Sequence, residues 1–468
     1  MKDNYFQGLV KNELVSSPEK YLDEYQQKLW PDLINSSVRY HGDPVKFPYT
    51  PHLVSARQWK FFREFTEKLT AIFNKITDRY LYDPGFRNLF PFSEKMEKYI
   101  LIDPGYPGHF PIARYDILYN QQGEIKLGEL NTDGTSAMNE VRVMQNILGE
   151  SALLRWLRDN HGVSLYGFEL FRSWIEILLD KYRCFSGKKR VSPVVAIVDF
   201  FEDGILSEFK VFARMLNEWG VETFLADPRQ LEYAGSKLKY KDKTIDLIYR
   251  RSTTGRLFEN FNEVRPLFEA YKSRDVCLCG GFRSQVIHNK AVFRVLSQAE
   301  EFNFLSDDEK EFLDNYLLET GYGSEIDENN RLQRKLKENK DEYVLKPCDS
   351  FAGKGVRLGR HHSLFEWNNL LEECSRRDYL YQEYCPTNTI ELLPAYDYED
   401  KGEKKPELEP FNYTFGFYMY DGSLQGLYNR AGRCDIIGTD YECITVPVYV
   451  AVPENTSLQG LKEEVKYE

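Results

Sequence analysis

From about residue 54 to 80, in SARQWKFFREFTEKLTAIFNKITDRY, apolar side chains recur at helical spacing behind Ser55, a residue suited to capping a first turn. The pattern predicts a long amphipathic helix there, and two more over 136–150 and 170–183. The period then changes. PVVAIVDF (193–200) and IDLIYRR (245–251) are short apolar runs of the kind found in buried strands, the second ending in an arginine pair. HNKAVFRVLSQ (288–298) reads as a helix start, and SDDEKEFLDNYL with IDENNRLQRKLKENKDE as solvated helices and loops. YVLKP, a glycine loop, GVRLG, a helix near 363–374 and YLYQEY then follow in the order of a small α/β lobe. AYDYEDKGEKKPELEP (395–410), charged and punctuated by proline, is expected to be a mobile surface insertion. FNYTFGFYMYDGSLQGLYNR reads as a hairpin turning at Asp421-Gly422. The expected class is α/β (α+β) with mixed and antiparallel sheets. It divides into a mainly helical lobe over 1–100, a central α/β region over 101–289, a lid over 290–385 and strands returning to the central region over 386–468.

The stretch ARYDILYNQQGEIKLGELNTDGT (113–135) is a second hairpin, and it carries charge where a sheet rarely tolerates it. With an unbulged turn centred on Gln122-Gly123, Asp116 opposes Glu129 and Arg114 opposes Asn131, and all four side chains share one face. Two opposed carboxylates about 5 Å apart repel by roughly 3 kcal/mol at an effective dielectric near 20. Something is expected to compensate. A hard divalent cation such as Mg²⁺ is the simplest candidate, held by two carboxylates and an amide oxygen. The alternatives are a proton shared by the pair, or Arg114 neutralising it on an exposed face.

Composition narrows the class. The chain has 468 residues, enough for two or three coupled lobes, with 42 % hydrophobic and 29 % charged residues, ordinary for a globular protein. A net charge of −12 argues against binding phosphate backbones nonspecifically, so no nucleic-acid partner is expected. GKKR (187–190) is the one short basic run, expected in a solvated loop. No leader pattern and no spanning apolar segment is visible, so a cytoplasmic protein without a membrane partner is expected. Eight cysteines without a CxxC pair predict neither disulfides nor structural zinc, and adjacent His361 and His362 fit a surface turn.

In VLKPCDSFAGKGVRLGR (344–360), Lys346 ends an apolar strand and Gly353, Lys354 and Gly355 form a loop whose N–H groups suit a phosphate; the plain alternative is a turn. The GxxxxGK[ST] pattern is absent. Lys290 in HNKAVF reads as phosphate-directed or as a lysine on an exposed helix. In YLYQEY the backbone around Gln382, Glu383 and Tyr384 suits an adenine edge and Glu383 a ribose, unless this is an edge strand with core tyrosines.

Together these pieces resemble the synthetase part of glutathionylspermidine synthase and trypanothione synthetase, ATP-grasp ligases of circularly permuted order. The resemblance rests on Arg114-Tyr115-Asp116, Glu129-Leu130-Asn131, Asn289-Lys290-Ala291 and Lys346-Pro347 in that order, and spans roughly 110–450. It implies an ATP-grasp-like fold in which 290–385 is the nucleotide clamp. It also implies Mg²⁺ on Asp116, Glu129 and Asn131, ATP contacts from Lys290, Lys346 and the glycine loop, and Arg114 on the transferring phosphoryl group. Ser136 and Arg433 are the implied substrate contacts. Where the family has Arg-Glu-Gly, this chain has Gly353-Lys354-Gly355, and the proline after Glu-x-Asn is replaced around Gly134-Thr135. The implied chemistry is phosphorylation of a carboxylate by ATP, then amide formation by an amine, with a glutathione-like acid and a polyamine as expected partners. The acidic cluster Asp199, Glu202 and Asp203 is a candidate attractor for the amine or a solvated strand end. Rival readings are a ligase for another acid and amine, a noncatalytic nucleotide-binding protein, and a hydrolase using Asp116 and Glu129 as acid and base.

Overall fold

Residues 4–40, 42–120, 123–187, 192–328, 330–350, 353–398, 405–438 and 442–454 are described by the computed structural model. The long helix forms over Ala56–Tyr82 and begins in a capping box, with Ser55 Oγ accepting from the Gln58 N–H at 3.1 Å and the Gln58 side chain accepting from the Ser55 N–H at 2.9 Å. Its apolar stripe, which includes Phe62 and Phe73, covers one face of the largest sheet, with ring centroids 4.8 Å apart for Phe62–Phe417 and 5.5 Å for Phe73–Tyr115.

That six-stranded sheet is antiparallel and joins segments far apart in sequence, with Thr389–Leu392 pairing Glu409–Tyr420 beside the main path. Its strands run Ile444–Val446, Ser423–Gly432, Glu409–Tyr420, Ile112–Tyr119, Ile125–Asn131 in spatial order. The expected hairpin at Asp421-Gly422 forms, both residues having positive φ (47° and 86°), the geometry a two-residue turn between twisted strands requires. The earlier hairpin reaches its expected pairing by a different route. Asp116 pairs Glu129 and Arg114 pairs Asn131, but beyond a bulge Ile117 pairs Leu127 and Tyr119 pairs Ile125. Asn120 N–H bonds Glu124 O, so the turn is one residue tighter than a centre at Gln122-Gly123 implies. The extra residue at the bulge, Gly128, restores the register on the side where the charges sit. Gln121 and Gln122 lie outside the described residues, as do 188–190 of the basic run and 399–404 of the expected insertion.

A parallel sheet orders Cys277–Cys279, Leu247–Arg250, Val195–Val198 and Thr223–Ala226. The Val195–Val198 and Leu247–Arg250 strands are buried throughout, which explains their unbroken apolar pattern. The clamp sheet is antiparallel, ordered Thr320–Tyr322, Tyr379–Glu383, Tyr343–Pro347, Arg357–Leu358. YLYQEY is thus an interior strand rather than an edge. Leu336, read as part of a solvated stretch, is fully buried with Trp367 and Leu371 in the clamp's own core. A further cluster joins Phe6, Leu14 and Tyr49 to Leu153, Leu157 and Tyr449.

The loop after the earlier hairpin is tied to the carboxyl edge of the parallel sheet by a buried ion pair between Asp133 and Arg250. Asp133 Oδ2 also accepts from the Thr254 N–H at 2.6 Å. Burial opposes its charge, but Arg250 wins and holds the carboxyl below its usual range. Asp133→Ala strands the Arg250 charge and is expected to lower unfolding stability by about 3–5 kcal/mol in urea titration, whereas Lys243→Ala at an exposed ion pair is expected to leave the urea midpoint essentially unchanged.

Candidate active site

Asp116 and Glu129 both face a cleft between the antiparallel sheet and the clamp. Each has its own cations. Arg114 Nε donates to Asp116 Oδ1 at 2.8 Å, and Arg430 Nη2 donates to Oδ2 at 2.6 Å. The Asn131 amide nitrogen donates to the same Oδ2 at 3.0 Å. Glu129 Oε1 pairs with Lys290 Nζ at 2.8 Å. Burial raises a carboxyl's pKa, yet Lys290, with Arg430 and Lys346 farther off, holds Glu129 at about 2. The mutual repulsion expected of the two acids is therefore relieved by arginine and lysine, with Arg114 buried rather than on an exposed face.

Space for Arg114 comes from the neighbouring strand. Gly416 pairs with Asp116, and a Cβ there would stand 2.6 Å from Arg114 Cδ. The guanidinium instead crosses the sheet and reaches the Ser136 carbonyl at 3.2 Å. Tyr428, on the next strand, places its ring 5.4 Å from the Arg114 guanidinium and 5.8 Å from that of Arg430.

From the clamp, Lys346 Nζ donates to Gln382 Oε1 at 2.7 Å, and Gln382 Nε2 donates to Thr320 Oγ1 at 2.9 Å. Burial lowers Lys346 to about 8, an effect Lys290 adds to and Glu129 opposes. Lys290 is buried, not displayed on an exposed helix: it precedes the Ala291–Leu296 helix, its N–H bonds Cys348 O at 2.9 Å and its Nζ bonds Ser350 O. Gly353 and Gly355 have φ of 76° and 75°, a left-handed turn that brings the Lys354 carbonyl to Ser350 Oγ at 3.0 Å. Lys354 lies at the cleft rim, as do Glu383 and Tyr384 beside the apolar side chains of Leu118, Leu318, Val344 and Ile436. Among the described residues, Thr414 Oγ1 and Arg430 Nε are buried without a hydrogen-bond partner and belong to the cleft wall.

The structure brings Asp116, Glu129, Lys290, Lys346, Gly353, Lys354, Gln382, Glu383 and Tyr384 into one cleft, with Arg114 and Asn131 behind Asp116. Gly355 shapes the loop. Ser136 contributes its carbonyl to Arg114 and to the Tyr418 hydroxyl at 2.7 Å. Arg433 does not join them. It is held by Asp397 at 2.8 Å, Glu409 at 2.7 Å and Glu442, over the Phe411 ring. The arginine sequence reasoning missed is Arg430, three residues earlier in the same NRAGRCDII stretch. Its signal was the hairpin alternation, which puts it opposite Thr414, but only the pairing of that hairpin with Ile112–Tyr119 shows the value of the position. The acidic cluster is also reassigned. Glu202 pairs with Arg229 and Asp203 with Arg256, each at 2.7 Å, while burial raises Asp199 to about 7.

For a divalent metal, Asp116, Glu129 and Asn131 supply hard oxygen donors at adjacent register positions, which suits Mg²⁺. Glu129 faces the cleft, while both Asp116 oxygens already accept from arginine or amide donors. Among the described residues no cluster of three or more His, Cys, Asp or Glu side chains provides another site. Among the described residues no helix is long and apolar enough to cross a membrane.

Comparison with known proteins gives the fold. No family model matches the chain, and no curated protein matches it. Among solved structures it is similar to a glutathione synthetase-like effector, GSS30, from Globodera pallida in apo form. The TM-score is 0.60 at 11 % identity, covering 92 % of this chain and 97 % of that one. The two share a mixed α/β fold. The ATP-grasp ligase PsnB, complexed with a phosphomimetic variant of a minimal precursor, Mg and ADP, also overlaps, at TM-score 0.30 and 11 % identity over 58 % of this chain and 92 % of that one; at that score nothing is drawn from it.

Lys290, Lys346, Lys354 and Arg430 all line the cleft, and its attraction for anions is expected to follow the charge of Lys346. Lysine is charged below its pKa, so affinity for tripolyphosphate is expected to fall as pH rises through about 8. Calorimetry from pH 6.5 to 9.5 checks this, and Lys346→Met is expected to remove that pH dependence.

Proposed function

We propose that the protein is an ATP-dependent carboxylate–amine ligase that makes an amide through an acyl phosphate. The observation that carries this reading is the convergence of cations from separate elements on one cleft: Arg430, Lys290 and Lys346 line it together, facing Asp116 and Glu129. A cluster of partly buried cations is matched to a ligand with several negative charges, and phosphoryl transfer asks mainly for positioning and charge neutralisation.

In this reading the apolar end of the cleft takes the base, with Glu383 and Tyr384 at its rim, and the glycine loop with Lys354 lies over the phosphates. Lys290 and Lys346 hold phosphate oxygens. Glu129, with Asn131 and Asp116, holds Mg²⁺, which when bound supplies further neutralisation of phosphate charge. Arg114 and Arg430, fixed by Asp116 and by each other's contact with Tyr428, present guanidinium groups to the phosphoryl group in flight and to the acid that receives it. Arg430 takes the role that the sequence resemblance gave to Arg433. The fixing of Asp116 between two arginines is unsuited to acid–base cycling, which disfavours a hydrolase.

By resemblance to glutathionylspermidine synthase, the acid is a glutathione-like peptide and the amine a polyamine. The roles of the 1–100, 101–289, 290–385 and 386–468 regions follow the same reading, as does a cytoplasmic setting.

Glu129→Ala is expected to abolish ADP release with any acid and amine pair. Arg430→Ala is expected to lower kcat by about 10²–10³-fold, the usual cost of losing one oxyanion donor, and Arg433→Ala to leave it within about twofold. A coupled ADP-release assay over a panel of acids and amines, with glutathione and spermidine first, checks all three; full turnover by Glu129→Ala would overturn the assignment.

A further inference from the structure

Arg430 stands between two threonines in one row across the antiparallel sheet: Thr445 pairs it on one side and Thr414 on the other, and Thr414 in turn pairs Leu118. The two hydroxyls have different fates. Thr445 Oγ1 donates to Glu140 Oε2 at 2.5 Å. Thr414 is only 8 % exposed and lines the cleft, yet among the described residues its hydroxyl has no hydrogen-bond partner. Arg430 is left in the same condition. Its Nη2 donates to Asp116 Oδ2 at 2.6 Å, while its Nε–H, buried in the same wall, has no partner among the described residues. The cations opposite are engaged, Lys346 by Gln382 and Lys290 by Glu129 and Ser350. A buried donor without an acceptor is costly, and two at paired positions call for a group that meets both.

We propose that the Thr414 hydroxyl and the Arg430 Nε–H together receive one anionic group, a phosphate or a carboxylate, on this wall of the cleft. Residues paired on adjacent strands hold their Cβ atoms roughly 4.5–5.5 Å apart, so both side chains reach the oxygens of a single such group. An Nε–H has no lone pair to offer, so the shared partner is an acceptor, and beside a guanidinium an anionic acceptor binds more strongly than a neutral one. The two donors divide the work. Arg430 brings the charge from a direction that Asp116 fixes, and the hydroxyl of Thr414, which adds none, sets where the oxygen rests. Thr414 also stands beside Leu118, at the apolar end of the cleft, so the group it holds lies where apolar and cationic linings meet. What the group belongs to rests on the ligase reading: it is a phosphate of the nucleotide or the carboxylate of the acid, and Thr414 is then a binding residue that no charge pattern in the sequence marks.

Thr414→Val keeps the β-branched shape and removes the hydroxyl, and Thr414→Ser keeps the hydroxyl. Calorimetry on the full chain uses tripolyphosphate and glutathione as separate probes. Thr414→Val is expected to weaken at least one of them by about tenfold or more, the loss of a donor to a charged acceptor, and Thr414→Ser to restore it to within about threefold. Loss for tripolyphosphate alone assigns the oxygen to phosphate, loss for glutathione alone assigns it to the acid, and loss for both assigns a position that either group takes. The urea midpoint of Thr414→Val is expected to hold or rise, because an unmet buried donor is removed; a hydroxyl that served the fold would make it fall. Unchanged affinity for every probe that the unaltered chain binds, a midpoint that falls along with affinity, or an unaltered chain that binds neither probe would overturn the proposal. Tripolyphosphate binding that depends on Thr414, in a chain that releases no ADP with any acid and amine, supports the site and counts against the ligase reading alone.

Discussion

A single carboxylate held between two guanidinium groups organises this molecule. Asp116 accepts from Arg114 on its own strand and from Arg430 two strands away, so the bond crosses the intervening strand that carries Gly416. Neither arginine is fully wetted, and a guanidinium so placed without an anion would carry a large desolvation cost. With Asp116 between them the two cations sit close together without strong net repulsion and keep fixed directions. The cleft inherits from this a rigid positive wall that needs no rearrangement to meet a negative ligand.

The clamp supplies the opposite wall by a different device. Lys346 and Lys290 are long, flexible side chains, and each is pinned by an uncharged oxygen, Gln382 Oε1 for one and the Ser350 carbonyl for the other. Gln382 is itself pinned through Thr320, whose hydroxyl donates to Leu318 O at 2.8 Å. His361 joins Asp435 at 2.9 Å, so the clamp also touches the loop that follows the returning strands. Ile436 and Ile437 on that loop close the apolar end of the cleft.

Much of this was legible from the sequence, and the misses have physical causes. The helix at 56–82, both hairpins and the succession of elements from 343 to 383 follow from period and turn chemistry, which are local. The pairing of Asp116 with Glu129 was reached from an unbulged turn, although the strands achieve it with a tighter turn and a bulge at Gly128; two one-residue shifts of opposite sense cancel, and composition does not distinguish that from none. Lys290 looked like a surface lysine because its burial comes from Cys348 and Ser350, 58 and 60 positions later. Arg430 and Arg433 stand three residues apart at the end of one hairpin, and only the strand paired with that hairpin tells them apart. The helix at 138–149 shows no capping side chain of its own; its cap, Glu208, comes from another helix.

The Arg430–Asp116 bond links positions 314 residues apart. During synthesis the hairpin at 112–131 leaves the ribosome long before the strand that completes it, and until then Asp116 has only Arg114 to balance it. This wall of the cleft is therefore among the last parts of the protein to assemble. A nascent or prematurely ended chain holds the acids, the first arginine and even the clamp lysines, yet lacks the second guanidinium that fixes Asp116 among them.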